Sequence, residues 1–423
     1  MNVFVIGSGG REHAICRSFS KSPRVTRLFC ANGNAGIAEV ADCVNVRPDD
    51  VAGLVTFAIE KAIDMTFVGG ETTLALGIVD EFESRGLRII GPTREATKLE
   101  SSKSFAKDFM ARHGVPTAKY VKAHSPFFAV MELESGNLGD ADTPVVVKAD
   151  GLAAGKGVVI AANRTEAIAA INEMAGLVGS AAADKIVLEE CLVGKEVSLL
   201  MFANGEEFIL MPPTRDHKRI GEGDTGPNTG GMGTITDASL VTAEQLQVIT
   251  ETIIRPTLRG CVREGFPFRG ILFLGLMMTA NGPMVIEYNV RFGDPETQSI
   301  LVRLETDLAD ICEAMLGGTL ASLEINWRPG SSACVVLASK GYPAAAQTGD
   351  AIHGLDDARG LANVEVFYAG TKRDADGAFV TSGGRVLGVT ATGDDLADAL
   401  STAYEAVSKI SFDGMQYRRD IGK

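Results

Sequence analysis

The sequence predicts an α/β protein, with an open parallel α/β unit over residues 1–100, a central region over 101–324 and a second α/β unit over 325–423. Two observations carry this. Short apolar runs rich in β-branched residues, at 3–6, 28–30, 65–68 and 88–90, alternate with helix-length segments, the pattern of a parallel sheet. The same alternation returns later, with strands expected at 332–338, 364–367 and 385–390 and a helix at 396–409. A chain of 423 residues is also too long for one hydrophobic core.

Composition narrows the class. A net charge of −14 argues against a general basic surface for nucleic acid. Positive charge for any anionic substrate must therefore be gathered locally. The seven cysteines are scattered without a Cys-x-x-Cys pair, which disfavours structural zinc and suggests a reducing compartment. Met1 leads straight into a strand with no leader pattern, and no apolar run reaches the length of a membrane span. A soluble, cytoplasmic chain is expected.

The first strand meets Gly7-Ser8-Gly9-Gly10-Arg11-Glu12-His13. Glu12 stands where a dinucleotide fingerprint needs its last glycine, and no acidic residue follows the second strand. A nicotinamide cofactor is disfavoured. A helix N-terminus beside Arg11 suits a small phosphate. The plainer alternative is a tight turn closed by an Arg11–Glu12 ion pair. Two further loops, Gly33-Asn34-Ala35-Gly36 and Gly69-Gly70-Glu71-Thr72, follow strand ends, where ligands of open α/β sheets bind.

After Gly91-Pro92 a helix is expected at 103–112, with Phe105 and Phe109 on one face and His113-Gly114-Val115-Pro116 as its stop. The centre of the chain is Val145-Val146-Val147-Lys148-Ala149-Asp150-Gly151-Leu152-Ala153-Ala154-Gly155-Lys156-Gly157-Val158-Val159-Ile160. It reads as strand, glycine turn, strand. Glycines 151, 155 and 157 let backbone N–H groups approach an anion, and Lys148 and Lys156 flank them. It is no Walker loop, because a strand follows it. A plain Gly-rich hairpin is the weaker reading.

A helix is expected around 166–174, then a strand at 186–188 running into Glu189-Glu190-Cys191-Leu192-Val193-Gly194-Lys195-Glu196. A strand ending in carboxylates, with one apolar residue and a further carboxylate, can hold a nucleoside. Residues 212–234 are expected to be one long functional loop carrying Arg215-Asp216-His217-Lys218-Arg219. His217 there is read as a hydrogen-bonding group rather than a general base. A helix at 243–254 should end before Pro256. In Met284-Val285-Ile286-Glu287-Tyr288-Asn289-Val290-Arg291, strand alternation puts Glu287 and Asn289 on one face. Both offer hard oxygen to Mg²⁺. Arg291 shares their parity about 7 Å further along the strand and can clamp a carboxylate bidentately.

These stretches, with Asp224-Thr225-Gly226-Pro227-Asn228-Thr229-Gly230-Gly231-Met232-Gly233 and Asn289-Val290-Arg291-Phe292-Gly293-Asp294-Pro295-Glu296, resemble the phosphoribosylamine–glycine ligase family of ATP-grasp enzymes over essentially the whole chain. The string from Lys148 to Gly157 is its most specific match. The resemblance implies an ATP-grasp fold, with a small ATP lobe at about 118–190. It implies that ATP, glycine and 5-phosphoribosylamine give glycinamide ribonucleotide, ADP and phosphate through glycyl phosphate, in purine biosynthesis.

Carried over by motif, Lys103, Lys148, Gly151, Gly155 and Lys156 contact ATP, and Glu189, Leu192 and Glu196 hold its adenosine. Glu287 and Asn289 bind Mg²⁺ or Mn²⁺. Gly9, Gly10, Arg11, Asn34, Glu71, Asp216, Lys218 and Arg291 face glycine or phosphoribosylamine. Lys148, Arg291 and Asp216 are the expected catalytic groups.

The implied partners are small molecules only, acting on a monomer or weak homodimer, with no nucleic acid and no membrane. The chain departs from the family pattern at Asn32 (usually proline), at Gly70, Thr72 and Thr73, at Arg215 (usually glutamine) and at Thr234-Ile235-Thr236-Asp237, all expected in substrate-side loops. The competing readings are another ATP-grasp ligase or carboxylase, such as biotin carboxylase, or a catalytically inactive ATP-binding module.

Overall fold

The computed structural model describes residues 1–152, 157–179 and 183–423. Gly155 and Lys156 lie outside the described residues. Strands β1 (Asn2–Gly7), β2 (Arg27–Asn32), β3 (Asp42–Val44), β4 (Met65–Val68) and β5 (Ile89–Ile90) form a parallel sheet in the order β3-β2-β1-β4-β5. Its central strand is apolar on both faces. Alternation sends Phe4 and Ile6 into one core and Val3 and Val5 into another, as expected for a sheet covered on both sides.

The helix Lys103–His113 begins at Ser102, whose Oγ accepts the Phe105 N–H at 3.2 Å, and ends at Gly114 with φ 67°. The stop is the one the sequence predicts, and the Ser102 cap adds to it. Strands β6 (Tyr120–Ala123), β7 (Val145–Ala149), β8 (Val158–Ala161) and β9 (Ile186–Glu190) form a small antiparallel sheet, order β6-β9-β7-β8. The helix Arg164–Val178 packs on it and is longer than predicted. Asn163 caps it by accepting the Glu166 N–H at 3.0 Å.

The remaining strands are β10 (Lys195–Asn204), β11 (Glu207–Leu210), β12 (Thr214–Asp216), β13 (Arg219–Gly221), β14 (Thr225–Asn228), β15 (Gly233–Thr236), β16 (Arg269–Thr279), β17 (Gly282–Asn289), β18 (Ser331–Ala338), β19 (Val364–Tyr368), β20 (Thr371–Arg373), β21 (Phe379–Thr381) and β22 (Arg385–Gly393). Nine of them, among the described residues, make one sheet in the order β17-β16-β10-β12-β15-β18-β22-β19, with β11 on β10. The β15–β18 pairing, Thr236 opposite Ser332, carries this sheet across residue 324 without a break. The helix Leu396–Lys409 has its predicted bounds.

Two sequence expectations are corrected. Residues 212–234 are not one loop, because β12 pairs with β10 and β15, and β13 with β14 in a hairpin. Strands β12, β13 and β14 are each only three or four residues long, so pairing and not their own pattern fixes them: β12 by β10 and β15, and β13 and β14 by each other. The helix also does not stop before Pro256. A π-helical stretch, Thr250–Ile254, leads into the helix Arg255–Arg263. The widened turn makes room for a ring that would otherwise strike the preceding carbonyl.

The departures at 234 and 236 belong to the core. Thr234 Oγ1 lies 2.6 Å from Ser299 Oγ, and Thr236 Oγ1 lies 2.6 Å from Ser332 Oγ. Both threonines are fully buried. Arg215 donates to the Lys423 carbonyl at 2.8 Å.

Candidate active site

The glycine turn is anchored through Asp150. Its carboxylate accepts the Ser104 N–H at 2.7 Å and the Ser104 hydroxyl at 2.6 Å. This fixes Asp150, at the end of β7, to the first turn of the helix Lys103–His113, where a carboxylate also meets the positive end of the helix dipole. Lys103 Nζ donates to the Gly151 carbonyl at 3.2 Å, and burial pushes its ammonium below its usual pKa.

Lys148 is 3% exposed. Its Nζ lies 2.8 Å from Glu189 Oε1 and donates to the Ile286 carbonyl at 3.1 Å. Lys148 and Glu189 are diagonal neighbours on one sheet face, since Val146 pairs with Glu189 and Lys148 with Val187. Lys107 closes the other side of Glu189 at 2.9 Å and donates to Thr117 Oγ1 at 2.7 Å. Burial lowers the Lys107 pKa to about 8. The sequence reading missed Lys107, although its spacing of four from Lys103 puts both lysines on one helix face.

Glu196, Asp216, Lys218 and Glu287 line one cleft. Lys218 sits 3.2 Å from Glu196 and 3.9 Å from Glu287. Burial favours the neutral form of Glu287, but Lys218, Lys148 and Lys103 outweigh it and hold its pKa below the usual value. Glu287 therefore keeps its charge. Burial, joined by Glu296, pushes Asp216 well up, and burial also pushes Glu296 up. Leu192 is half-buried just beyond β9. His217 is satisfied at both nitrogens. Its Nδ1 lies 3.1 Å from the Gly233 carbonyl, and its Nε2 accepts the Gly422 N–H at 3.0 Å. Burial lowers its pKa to about 4, so it is a neutral bridging group, as the sequence reading has it.

Strand β17 ends at Asn289 and does not continue to Arg291. The Val290 N–H turns instead to Glu100 Oε2 at 2.7 Å. The guanidinium of Arg291 still returns to the site and donates to Asn289 Oδ1 at 3.2 Å. It also pairs with Glu71 at 3.1 Å and Glu100 at 2.8 Å. Burial favours a neutral Glu71, yet Arg291 and Arg11 hold its carboxyl down at about 2. Glu100 was not foreseen, because only the fold brings residue 100 to residue 291.

At the N-terminal turn, Gly9 N–H donates to Glu12 Oε2 at 2.6 Å and Arg11 Nε meets Glu12 Oε1 at 2.7 Å. The Arg11–Glu12 ion pair is present. Arg11 also donates to the Phe292 carbonyl at 2.9 Å and lies 4.0 Å from Glu71. A Cβ at Gly10 would fall 2.6 Å from Gln298 Nε2, so a side chain there would displace the Gln298 amide. Gln298 in turn donates to Asp294, which also holds Arg385 at 3.1 Å. Asn34 is used up internally. Its amide donates to the Ser8 and Tyr368 carbonyls, and its oxygen accepts from Gly36 and Ile37. Asn32 has φ 69°, which a proline cannot adopt, so this turn differs from the family's usual proline.

Family models described as phosphoribosylglycinamide synthetase match the chain as an N domain over residues 1–100, an ATP-grasp (A) domain over 101–297 and a C domain over 332–423. The phosphoribosylamine–glycine ligase of Vibrio parahaemolyticus is 48% identical over 426 aligned residues, covering 100% of this chain and 98% of the relative. The chain belongs to the phosphoribosylglycinamide synthetase family.

Another family relative, from Xanthomonas campestris pv. campestris, is 46% identical over 100% of this chain and 97% of its own length. The crystal structure of the Thermotoga maritima phosphoribosylamine–glycine ligase superposes with a TM-score of 0.83 at 34% identity, covering 100% of both chains. A biotin carboxylase from Campylobacter jejuni shares the fold with a TM-score of 0.75 over 98% of this chain and 92% of its own, at 15% identity. The chain is thus an ATP-grasp ligase that acts with ATP on small molecules. No helix among the described residues is long and apolar enough to cross a membrane.

In this family member, Glu287 and Asn289 fit a divalent cation by donor type, as two hard oxygens at the end of β17 with a charge that Glu287 retains. Two protein oxygens suffice for Mg²⁺, which keeps waters and takes the rest from nucleotide phosphates.

Proposed function

We propose that the chain joins glycine to 5-phosphoribosylamine using ATP. The products are glycinamide ribonucleotide, ADP and phosphate, formed through glycyl phosphate in purine biosynthesis. The full-length identity to ligases of that name supports the substrates. One contact carries the mechanistic reading: Lys148, at the mouth of the glycine turn, donates to the carbonyl of Ile286, the neighbour of Glu287. Phosphate-binding and metal-binding elements thereby meet across two sheets.

In this reading Lys103 and Lys148 bind ATP phosphates, together with the turn that contains Gly151, Gly155 and Lys156. Glu189, Leu192 and Glu196 flank adenosine. Glu287 and Asn289 hold Mg²⁺ or Mn²⁺, which neutralises phosphate charge when bound. Arg291 takes the glycine carboxylate. Its guanidinium already holds Glu71, Glu100 and Asn289, so the substrate carboxylate exchanges with Glu71, the more exposed of its two carboxylate partners. Glu71 keeps Arg11 as a second partner. Asp216, with its raised pKa, and Lys218 face the acyl group. Rate comes mainly from alignment and charge stabilisation, because the attacking amine is already nucleophilic. We further read the chain as a cytoplasmic monomer or weak homodimer, divided at about residues 100 and 324.

The test follows atoms. Glycine labelled with ¹⁸O in its carboxylate should pass one label to inorganic phosphate per turnover, with ADP as the nucleotide product. Mass analysis of phosphate and a nucleotide assay on the same sample decide it. Unlabelled phosphate, or AMP as the main product, defeats the acyl phosphate route.

Two variants probe the assignments. Glu287→Gln removes a hard anionic ligand and should raise the Mg²⁺ concentration needed for half-maximal rate. An unchanged titration would move the metal elsewhere. Arg11→Ala should raise KM for phosphoribosylamine far more than KM for ATP, because Arg11 sits on the N-terminal turn and shares no contact with Lys148. The opposite ranking would reassign that turn.

A further inference from the structure

A second cleft lies outside the site described above. It encloses about 410 Å³ between the helix Gly10–Ser20 and strand β19, and is lined by His13, Arg17, Glu39, Arg359, Glu365 and Tyr368 among others. Its floor is His13, which is 5% exposed. His13 Nδ1 accepts the Tyr368 N–H at 2.8 Å, which leaves the ring hydrogen on Nε2. No group among the described residues accepts that hydrogen. Burial, then the charges of Arg17 and Arg359, lower the His13 pKa to about 3. The ring is neutral and offers one donor.

The walls carry two arginines and two glutamates. Arg359 meets Glu39 at 2.9 Å and Arg17 meets Glu365 at 3.4 Å. Each carboxylate is shared with a second cation, Arg373 at 3.3 Å from Glu39 and Lys21 at 3.3 Å from Glu365. The positive excess thus comes from Lys21 and Arg373, which lie outside the lining and share its two carboxylates, leaving Arg17 and Arg359 free to exchange onto an anion.

Strand β19 is also the last strand of its sheet. Tyr368 turns its N–H and C=O outward, to His13 and Asn34. Val366, two residues back, turns its backbone the same way and lines the cleft.

We propose that this cleft binds a small phosphate monoester, with the phosphate held by the His13 Nε2–H and the guanidinium groups of Arg17 and Arg359, and the organic part along the edge of β19. Planar guanidinium forks match phosphate oxygens. The volume falls within the usual range for small-molecule sites. The outward N–H and C=O of Val366 can pair with a polar group on the ligand. None of these residues belongs to the ligase machinery, so the binding stands or falls independently of the proposed reaction.

The test is calorimetric titration of the full chain with inorganic phosphate, ribose 5-phosphate and AMP, each with saturating ADP and Mg²⁺ to fill the ATP site. At least one probe should bind, and its affinity should fall by about tenfold or more in Arg359→Gln and in His13→Asn, as for loss of a hydrogen bond to a charged group. Asparagine keeps an acceptor for the Tyr368 N–H while removing the Nε2 donor. Arg11→Ala should leave this binding intact. Which probes bind separates bare phosphate from sugar or base recognition. The proposal is overturned if no probe binds, if binding is lost in Arg11→Ala but kept in the cleft variants, or if sedimentation shows a dimer that Arg359→Gln dissociates, which would make the cleft a contact between copies.

Discussion

Lys148→Ala is expected to lower kcat by about 10²–10³-fold, the size seen when one preorganised charge-stabilising donor is removed. The ammonium is buried and fixed by Glu189 and the Ile286 carbonyl, so it needs no reorganisation when charge develops on a transferring phosphoryl group. The fold should survive the substitution, because Lys107 remains 2.9 Å from Glu189 and still neutralises it. Steady-state turnover at saturating ATP, with a melting curve on the same preparation, separates the two effects. A turnover near wild type would remove Lys148 from the reaction.

Arg291→Ala should do two things at once. It removes the group proposed to hold the glycine carboxylate, so turnover should be lost. It also strips Glu71 and Glu100 of the cation between them. Breaking a buried ion pair by deleting one partner costs about 3–5 kcal/mol, and denaturant unfolding should show a loss of that order. Adding Glu100→Gln should restore part of the stability without restoring turnover, since the uncompensated buried charge is then gone. Unchanged unfolding of the single variant would mean that the cluster is not held together by Arg291.

The local elements were legible from the sequence because local rules determine them. Ser102 and Gly114 bracket a helix whose ends follow from capping alone. Lys148 sits at the end of a β-branched run, and alternation alone pairs Glu287 with Asn289. What escaped depends on residues far apart in the chain. Glu100 meets Arg291, and Lys107 meets Glu189, only once separate elements are assembled. Strands β12 and β15 carry no alternation of their own and borrow stability from β10 and β18. Asn34 is expected to face substrate, and in the structure its amide donors and its oxygen also bond the backbone. Its polarity was visible and its partners were not.

The hydrogen bonding of β15 to β18 bears on how this molecule can be dissected. A fragment ending near residue 324 would keep the lysines and carboxylates of the site yet leave β15 with a bare row of amides and carbonyls. Such an open margin recruits other chains and favours precipitation. The terminal quarter is therefore no detachable appendage. Grafting a foreign module in its place would require a strand matched to β15 in length, register and pleat.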